Sequence, residues 1–264
     1  MKLPELETLC AVVKRAAVEE LLPRFADVTR KIKGDGSIVT VADRAIQDRL
    51  ESELKQLWPE IALLGEEMTA SEQAKRLARP GAGLWIVDPL DGTSNFAAGI
   101  PFYSVSVALM VAGEVVLGVV YDPARDECFA AIKGGSARMN GLPLKGYPAP
   151  DSLRRCIATV DFKRLPTSLV LRLMHSPPYS SQRSFGSVAL DWCWVAAGRF
   201  HVYLHGRQKI WDYAAGHLIL EQMGGRSCGL DGAPVFSAGG EPRSALAALD
   251  PDIFRQWREW LLTG

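Results

Sequence analysis

No stretch of this chain is apolar for long enough to span a bilayer as a helix. The opening segment, MKLPELETLCAVVKRAAVEELLPRF, breaks its apolar positions with charge and so lacks the core of a signal peptide, and a cytoplasmic protein is expected. There is no C-x-x-C pair, and the five cysteines (Cys10, Cys128, Cys156, Cys193 and Cys228) are scattered and odd in number. That excludes a disulfide framework and predicts free thiols, used as buried small hydrophobes in a reducing compartment. Excess charge of one sign is also missing, since thirty basic residues balance thirty acidic ones. No global field draws the chain to nucleic acid or to an anionic membrane, so direct nucleic-acid binding is not expected and an anionic ligand must be held locally. Histidine is scarce, and His175, His201, His205 and His217 show no zinc-ligand spacing. Internal repeats, linkers and low-complexity segments are lacking as well.

What is present is a chain of 264 residues with 48% hydrophobic content, enough to bury a sizeable core. Leu6, Leu9, Val13, Ala16, Ala17 and Leu21 recur at helical spacing and predict a first helix over residues 5–26. After the KGDGS turn, residues 37–40 read as extended chain, and a second helix runs from Val41 to Trp58, where Pro59 stops it. The apolar runs at 61–64 and 84–87 both lead into carboxylates, and residues 102–132 read as an antiparallel meander. Beyond the Pro/Gly-rich stretch at 141–151 the pattern alternates: strands near 156–160, 201–204 and 245–249, and helices near 166–175, 186–198, 212–223 and 252–262. An α+β half, residues 1–150, joined to an α/β half, residues 151–264, in one compact unit is the expected organisation.

The strongest local signal is Asp88-Pro89-Leu90-Asp91-Gly92-Thr93-Ser94-Asn95-Phe96 directly after the apolar run Leu84 to Val87. Hard divalent cations prefer carboxylate and carbonyl oxygens, and two aspartates three apart on a turn past a strand can converge on one or two ions. Gly92 and Thr93 add backbone N–H groups suited to phosphate oxygens. Any one Asp-Pro or Asp-Gly is more often an ordinary turn. Further acidic sites in fitting contexts reverse that weighting: Glu66 and Glu67 after the 61–64 run, Asp43 after Val39-Thr40-Val41-Ala42, and Asp212 in Trp211-Asp212-Tyr213-Ala214-Ala215-Gly216.

These four blocks, in this order, resemble the signature set of the inositol monophosphatase family. The resemblance implies a layered αβαβα sandwich of the sugar-phosphatase type, a homodimer, and a Mg²⁺-dependent, lithium-sensitive phosphomonoesterase acting on a small soluble phosphate ester. It implies that Glu66, Asp88 and the Leu90 carbonyl hold a first ion, and that Asp88, Asp91 and Asp212 hold a second, with Asp88 as bridge. A third, weaker ion is associated with the Lys33 to Ser37 loop, implied to close over the site. Thr93, Asp43 and Glu66 set the attacking water, and the N–H groups of Gly92 and Thr93 bind phosphate. Ser94, Arg183 and His205 fall on the substrate side. His205 stands where the family resembles itself in having a glutamate, so substrates other than inositol phosphates stay open: adenosine 3′,5′-bisphosphate, fructose 1,6-bisphosphate and histidinol phosphate. A different reading, a partner of the transcription machinery as some bacterial relatives are, stays open too. Ser187 reads equally as a helix cap or as a contact to the leaving group. Trp192 and Trp194, two apart on one predicted helix, do not share a face, which sends at least one to a subunit or domain contact.

Overall fold

A computed structural model of the chain describes residues 3–27, 31–32, 38–78 and 83–263. The Lys33 to Ser37 loop lies outside the described residues. The first helix, α1 (Leu6–Glu20), buries the stripe Leu6, Leu9, Val12, Val13, Ala16 and Ala17. It ends earlier than its periodicity predicts, passing into a tighter turn at Leu22–Arg24, because Pro23 has no N–H to continue the α-helical ladder. A short antiparallel pair, β1 (Lys31–Ile32) and β2 (Ile38–Val39), precedes α2 (Val41–Leu57), whose start is fixed by a reciprocal cap between Thr40 and Asp43.

The chain then lays down β3 (Ala62–Gly65), α3 (Ala70–Leu77), β4 (Leu84–Asp91), α4 (Thr93–Ala98), β5 (Ser104–Val111), β6 (Glu114–Asp122), β7 (Glu127–Ile132), β8 (Arg138–Met139) and β9 (Leu142–Pro143). These strands form one sheet in chain order, β3 parallel to β4 and the rest antiparallel. The expected meander is β5 to β7. The helix α3 was hidden in a polar segment, although Thr69 and Glu72 form a second reciprocal cap there.

The remaining elements are β10 (Ile157–Asp161), α5 (Thr167–His175), β11 (Ser181–Arg183), α6 (Val188–Ala196), β12 (Val202–Gln208), α7 (Ile210–Gln222), β13 (Arg226–Cys228), β14 (Arg243–Ala248) and α8 (Pro251–Leu262). Their strands make a second sheet in the order β11-β10-β12-β14-β13, with β10 parallel to both of its neighbours.

Alternation of side chains across the strands sorts the core into layers. Trp85 and Val87 of β4 pack with α1 and α2, while Leu84 and Ile86 pack with α6 and α7 on the other face. Tyr203 and Ala247 of the second sheet meet those same middle helices, and Val202, Leu204 and Leu246 face α8, with Trp257, and Leu173 of α5. The layers therefore run helix, sheet, helix, sheet, helix. Four of the five cysteines are buried, Cys10 is half-buried, and all are free. Trp192 is buried against Tyr203, and Trp194 meets Phe102 edge-on across the junction between the two sheets' segments.

The middle layer is seated tightly on β6. A Cβ at Gly118 would stand 2.9 Å from the Ala215 carbonyl oxygen of α7. Gly118→Ala is expected to cost about 1–3 kcal/mol through overpacking against backbone that has no room to give, read as a lower urea midpoint with an unchanged slope.

Candidate active site

The end of β4 carries the densest acidic group. Side chains three apart on a regular strand point to opposite faces, which would separate Asp88 from Asp91. Here Asp88 pairs with Ser106 and Asp91 with Ser104, so β4 holds one extra residue between them. That bulge, at Pro89, returns both carboxylates to one face. Ser104 and Ser106 look from the same face toward the middle helices, reaching the Ser187 hydroxyl at 3.2 Å and the Trp211 carbonyl at 3.2 Å.

Asp91 Oδ2 accepts hydrogen bonds from Ser187 Oγ (2.6 Å) and from the Ala189 N–H (2.7 Å) in the first turn of α6. Ser187 therefore neither caps α6 nor stands free for a ligand; its hydroxyl holds Asp91. Asp212, in the first turn of α7, accepts from the Lys209 N–H at 2.8 Å. Asp88 accepts from the Leu90 N–H at 3.1 Å. Glu66 follows β3 and continues its ladder, donating its N–H to the Val87 carbonyl at 3.2 Å. Gln73 of α3 braces that turn by donating to the Gly65 and Glu66 carbonyls, and Gln47 of α2 accepts from the Glu67 N–H at 3.1 Å.

Asp43 divides its oxygens between two tasks. Oδ2 accepts from the Thr40 N–H and hydroxyl, both at 2.7 Å, and Oδ1 accepts from the Thr93 hydroxyl at 2.9 Å. The Thr93 hydroxyl also lies 2.9 Å from the Leu90 carbonyl oxygen. Gly92 precedes α4 in the left-handed region at φ 90°, and a Cβ there would meet the Phe102 and Gly186 carbonyls at 3.0 and 3.3 Å. Asn95 donates to the Phe102 and Phe185 carbonyls, which fastens the 183–187 loop onto the motif.

Burial and mutual repulsion dominate the electrostatics. Asp88 is pushed well above the usual carboxylate range by burial and then by Glu66, Asp91 and Asp212. Asp91 is raised to about 6, by burial first, despite its hydrogen bonds to α6. Asp212 is raised to about 8 by burial, Glu66 and Asp91. Asp43 is raised by burial against its hydrogen bonds to Thr40 and Thr93. Among the described residues no group of three or more His, Cys, Asp or Glu side chains stands as a finished coordination shell. The donor set nevertheless fits a hard divalent cation: oxygen ligands, with Asp88, Asp91 and Asp212 raised by burial and then by neighbouring carboxylates, in a place where an added positive charge relieves all of them.

A profile of the inositol monophosphatase family matches residues 3–259. The chain belongs to that family, one of phosphoric monoester hydrolases. It is 34% identical over 238 residues to a protein named Nus factor SuhB from Pasteurella multocida, covering 88% of this chain and 85% of that one. It is 37% identical over 199 residues to inositol monophosphatase 1 of Solanum lycopersicum, covering 73% and 72%. Among solved structures, an IMPase from Thermotoga maritima superposes with a TM-score of 0.83 at 27% identity over 97% of this chain and 96% of the other. The extragenic suppressor protein suhB of Bartonella henselae superposes with a TM-score of 0.84 at 29% identity over 98% of each.

The structure brings Glu66, Asp88, Leu90, Asp91 and Asp212 to one side of the β4 end, with Asp43, Gly92 and Thr93 beside them. Ser94 is exposed on α4. Arg183 is exposed at the end of β11, its guanidinium donating to Ser181 Oγ and the Gln182 carbonyl. His205 is not presented to a ligand. It is 3% exposed, Nδ1 accepts from the Arg207 N–H at 3.1 Å, and Nε2 lies 3.0 Å from Asp161, the residue paired with it across the sheet. Gln47 and Gln73 position the site without having stood out in the sequence, and Ser187 and Asn95 do so in roles the sequence did not assign them.

Ser187→Ala removes one donor to Asp91 and little volume. It is expected to fold normally and to weaken Mg²⁺ binding about 10–100-fold, read by calorimetric titration. The raised carboxyls also give a pH dependence. Folded, Asp91 and Asp212 hold protons more tightly than in the unfolded chain, so the stability they contribute is fully present below about pH 4 and is lost as pH rises through about 6 and about 8. In chelator, Tm should fall across that window, and the Tm gain on adding Mg²⁺ should grow across it. A Mg²⁺ gain that stays constant from about pH 5 to about pH 8.5 would remove the carboxyls from the cation site.

Proposed function

We propose that this site hydrolyses a small soluble phosphate monoester in the manner of an inositol monophosphatase, with Mg²⁺ held by Glu66, Asp88, the Leu90 carbonyl, Asp91 and Asp212. The observation that carries the reading is the Thr93 to Asp43 hydrogen bond of 2.9 Å set beside four mutually repelling carboxylates. Glu66, Asp88 and the Leu90 carbonyl would hold one cation, and Asp88, Asp91 and Asp212 would hold a second. The chemistry Mg²⁺ would supply there is a lowered pKa for a water and an offset to charge on the phosphoryl group and the leaving oxygen.

The chain's own residues do the positioning. Asp43 accepts the Thr93 proton, which leaves the Thr93 oxygen lone pairs to accept from a water and aim it. Glu66, just past β3, is the second side chain proposed to assist in orienting that water. The backbone N–H groups of Gly92 and Thr93, where β4 turns into α4, are the ones proposed to bind phosphate oxygens. Gly92 lets the backbone approach closely because it carries no side chain there. The exposed Arg183 is proposed on the substrate side, and the exposed Arg207 suits a more anionic ligand. Li⁺ competes for the more weakly held cation position, and a homodimer is the assembly proposed.

The relatives named Nus factor SuhB support a second reading, a protein partner in the transcription machinery. The retained carboxylates and the Asp43–Thr93 pair favour catalysis, and the two roles are compatible.

The test is Mg²⁺-dependent phosphate release from inositol 1-phosphate, adenosine 3′,5′-bisphosphate, fructose 1,6-bisphosphate and histidinol phosphate, with Thr93→Ala and Asp43→Asn alongside wild type. Turnover of a polyol phosphate is expected, with each variant losing about 10²–10³-fold in kcat, and the double variant losing no more than the worse single one, because the two side chains act as a unit. No release from any of the four would move the weight to the partner role.

A further inference from the structure

Away from the carboxylates, a cavity of about 400 Å³ opens between α1 and the β7–β8 edge, and Cys10 and Cys128 both line it. Cys10 is half-buried on α1, Cys128 is buried on β7, and the two residues share the wall of that one cavity where α1 packs on β7. We propose that Cys10 and Cys128 are an oxidisable dithiol, which a hydroperoxide converts into a disulfide fastening α1 to β7.

The surroundings hold the two sulfurs together. One helical turn before Cys10, Glu7 pairs with Arg138 at 3.0 Å, and one turn after it Lys14 pairs with Asp126. The first ion pair ties α1 to β8 and the second ties it to the β6–β7 turn, one on either side of Cys10. Asp126 is itself braced by the Tyr121 hydroxyl at 2.9 Å. Asn140 pins Cys128 from the next strand turn, accepting its N–H at 2.8 Å and donating to its carbonyl at 2.9 Å. Contact with Cys128 lowers the Cys10 thiol below its ordinary range, while Cys128 is raised by the same contact and by burial. The attacking thiolate is thus the one the cavity exposes, and its resolving partner is the buried one.

The chemistry balances. The Cys10 sulfur attacks a peroxide oxygen, the O–O bond breaks, and the departing hydroxide leaves as water, giving Cys10 sulfenic acid. Cys128 sulfur then attacks Cys10 sulfur, the S–OH bond breaks, and the hydroxyl leaves with the Cys128 proton as a second water. Two thiols and one hydrogen peroxide become one disulfide and two waters, an organic hydroperoxide giving its alcohol in place of the first water.

The full chain is treated with hydrogen peroxide, alkylated under denaturing conditions and mapped by mass spectrometry without reduction. The expected result is a Cys10–Cys128 cross-linked peptide, with Cys156, Cys193 and Cys228 still alkylated. Cys128→Ser, nearly isosteric, should accumulate Cys10 sulfenic acid that dimedone traps. The bridge closes the chain from residue 10 to residue 128, so oxidised protein should unfold about 5–15 °C higher, reversed by dithiothreitol and absent in Cys10→Ser. Both thiols remaining alkylatable, or a bridge to another cysteine or a second chain, would overturn the proposal. Should Cys128→Ser misfold, the wild-type map alone decides.

Discussion

Like charges are forced together where the two sheets meet, and much of the local structure exists to hold them there. Asp91 belongs to the first sheet, but its hydrogen-bond donors, Ser187 Oγ and the Ala189 N–H, belong to the segment entering α6. Asn95 repeats the link by donating to the Phe185 carbonyl, and Gly92 has carbonyls from both segments at the distance a side chain would occupy. The β4 end and the 183–189 segment are consequently one object. A shift of either sheet relative to the other would strip a buried carboxylate of its donors, which costs more than the hydrogen bonds themselves contribute.

The fold answers the repulsion with helix N-termini. Asp43 sits in the first turn of α2 and Asp212 in the first turn of α7, each accepting the N–H of the residue that precedes its helix, while Asp91 accepts from the first turn of α6. Each such placement is worth about 0.3–1 kcal/mol, and about 2 kcal/mol at best in buried geometry. Three of them offset only part of the burial cost. The carboxyls accordingly remain raised, Asp212 to about 8, and the remaining imbalance is of the sign and hardness that a divalent oxygen-seeking cation relieves.

The layers and the acidic residues were readable from sequence because both depend on local pattern. Apolar runs that end in carboxylates place β3, β4 and their acidic ends within a residue or two. The pairing of Asp88 with Asp91 on one face was not readable in the same way. It depends on a one-residue bulge whose signal is Pro89 inside an otherwise buried strand, and the bulge is visible only against the register with β5. Ser187 read equally as a helix cap, the usual place for serine before a helix, or as a contact to the leaving group. Its actual acceptor lies 96 residues away and has no local signature. His205 failed for the reverse reason. Its distance from Asp212 along the chain is suggestive, but strand pairing aligns it with Asp161, and the ring is consumed by neighbours. The helix α3 shows a signal that was present and passed over, the Thr69–Glu72 cap in a stretch too polar to show a periodic face.

Asp43 shows why position matters more than residue type here. Its Oδ2 is committed to both donors of Thr40, so the carboxylate plane is set before Thr93 arrives, and Oδ1 meets the Thr93 hydroxyl without choosing a rotamer. An amide in its place has one acceptor oxygen for two acceptor tasks, and a longer acid cannot reach both from the same backbone. The start of α2 is in turn fixed from below, where Ala42, Ile46 and Leu50 pack in the same core as Trp85, Val87 and Leu90. The strand that delivers Asp88 to the cluster is therefore the surface on which the helix delivering Asp43 is seated. Registration between the Thr93–Asp43 pair and the carboxylates at the β4 end is a property of that shared apolar contact, which no polar residue of the site supplies.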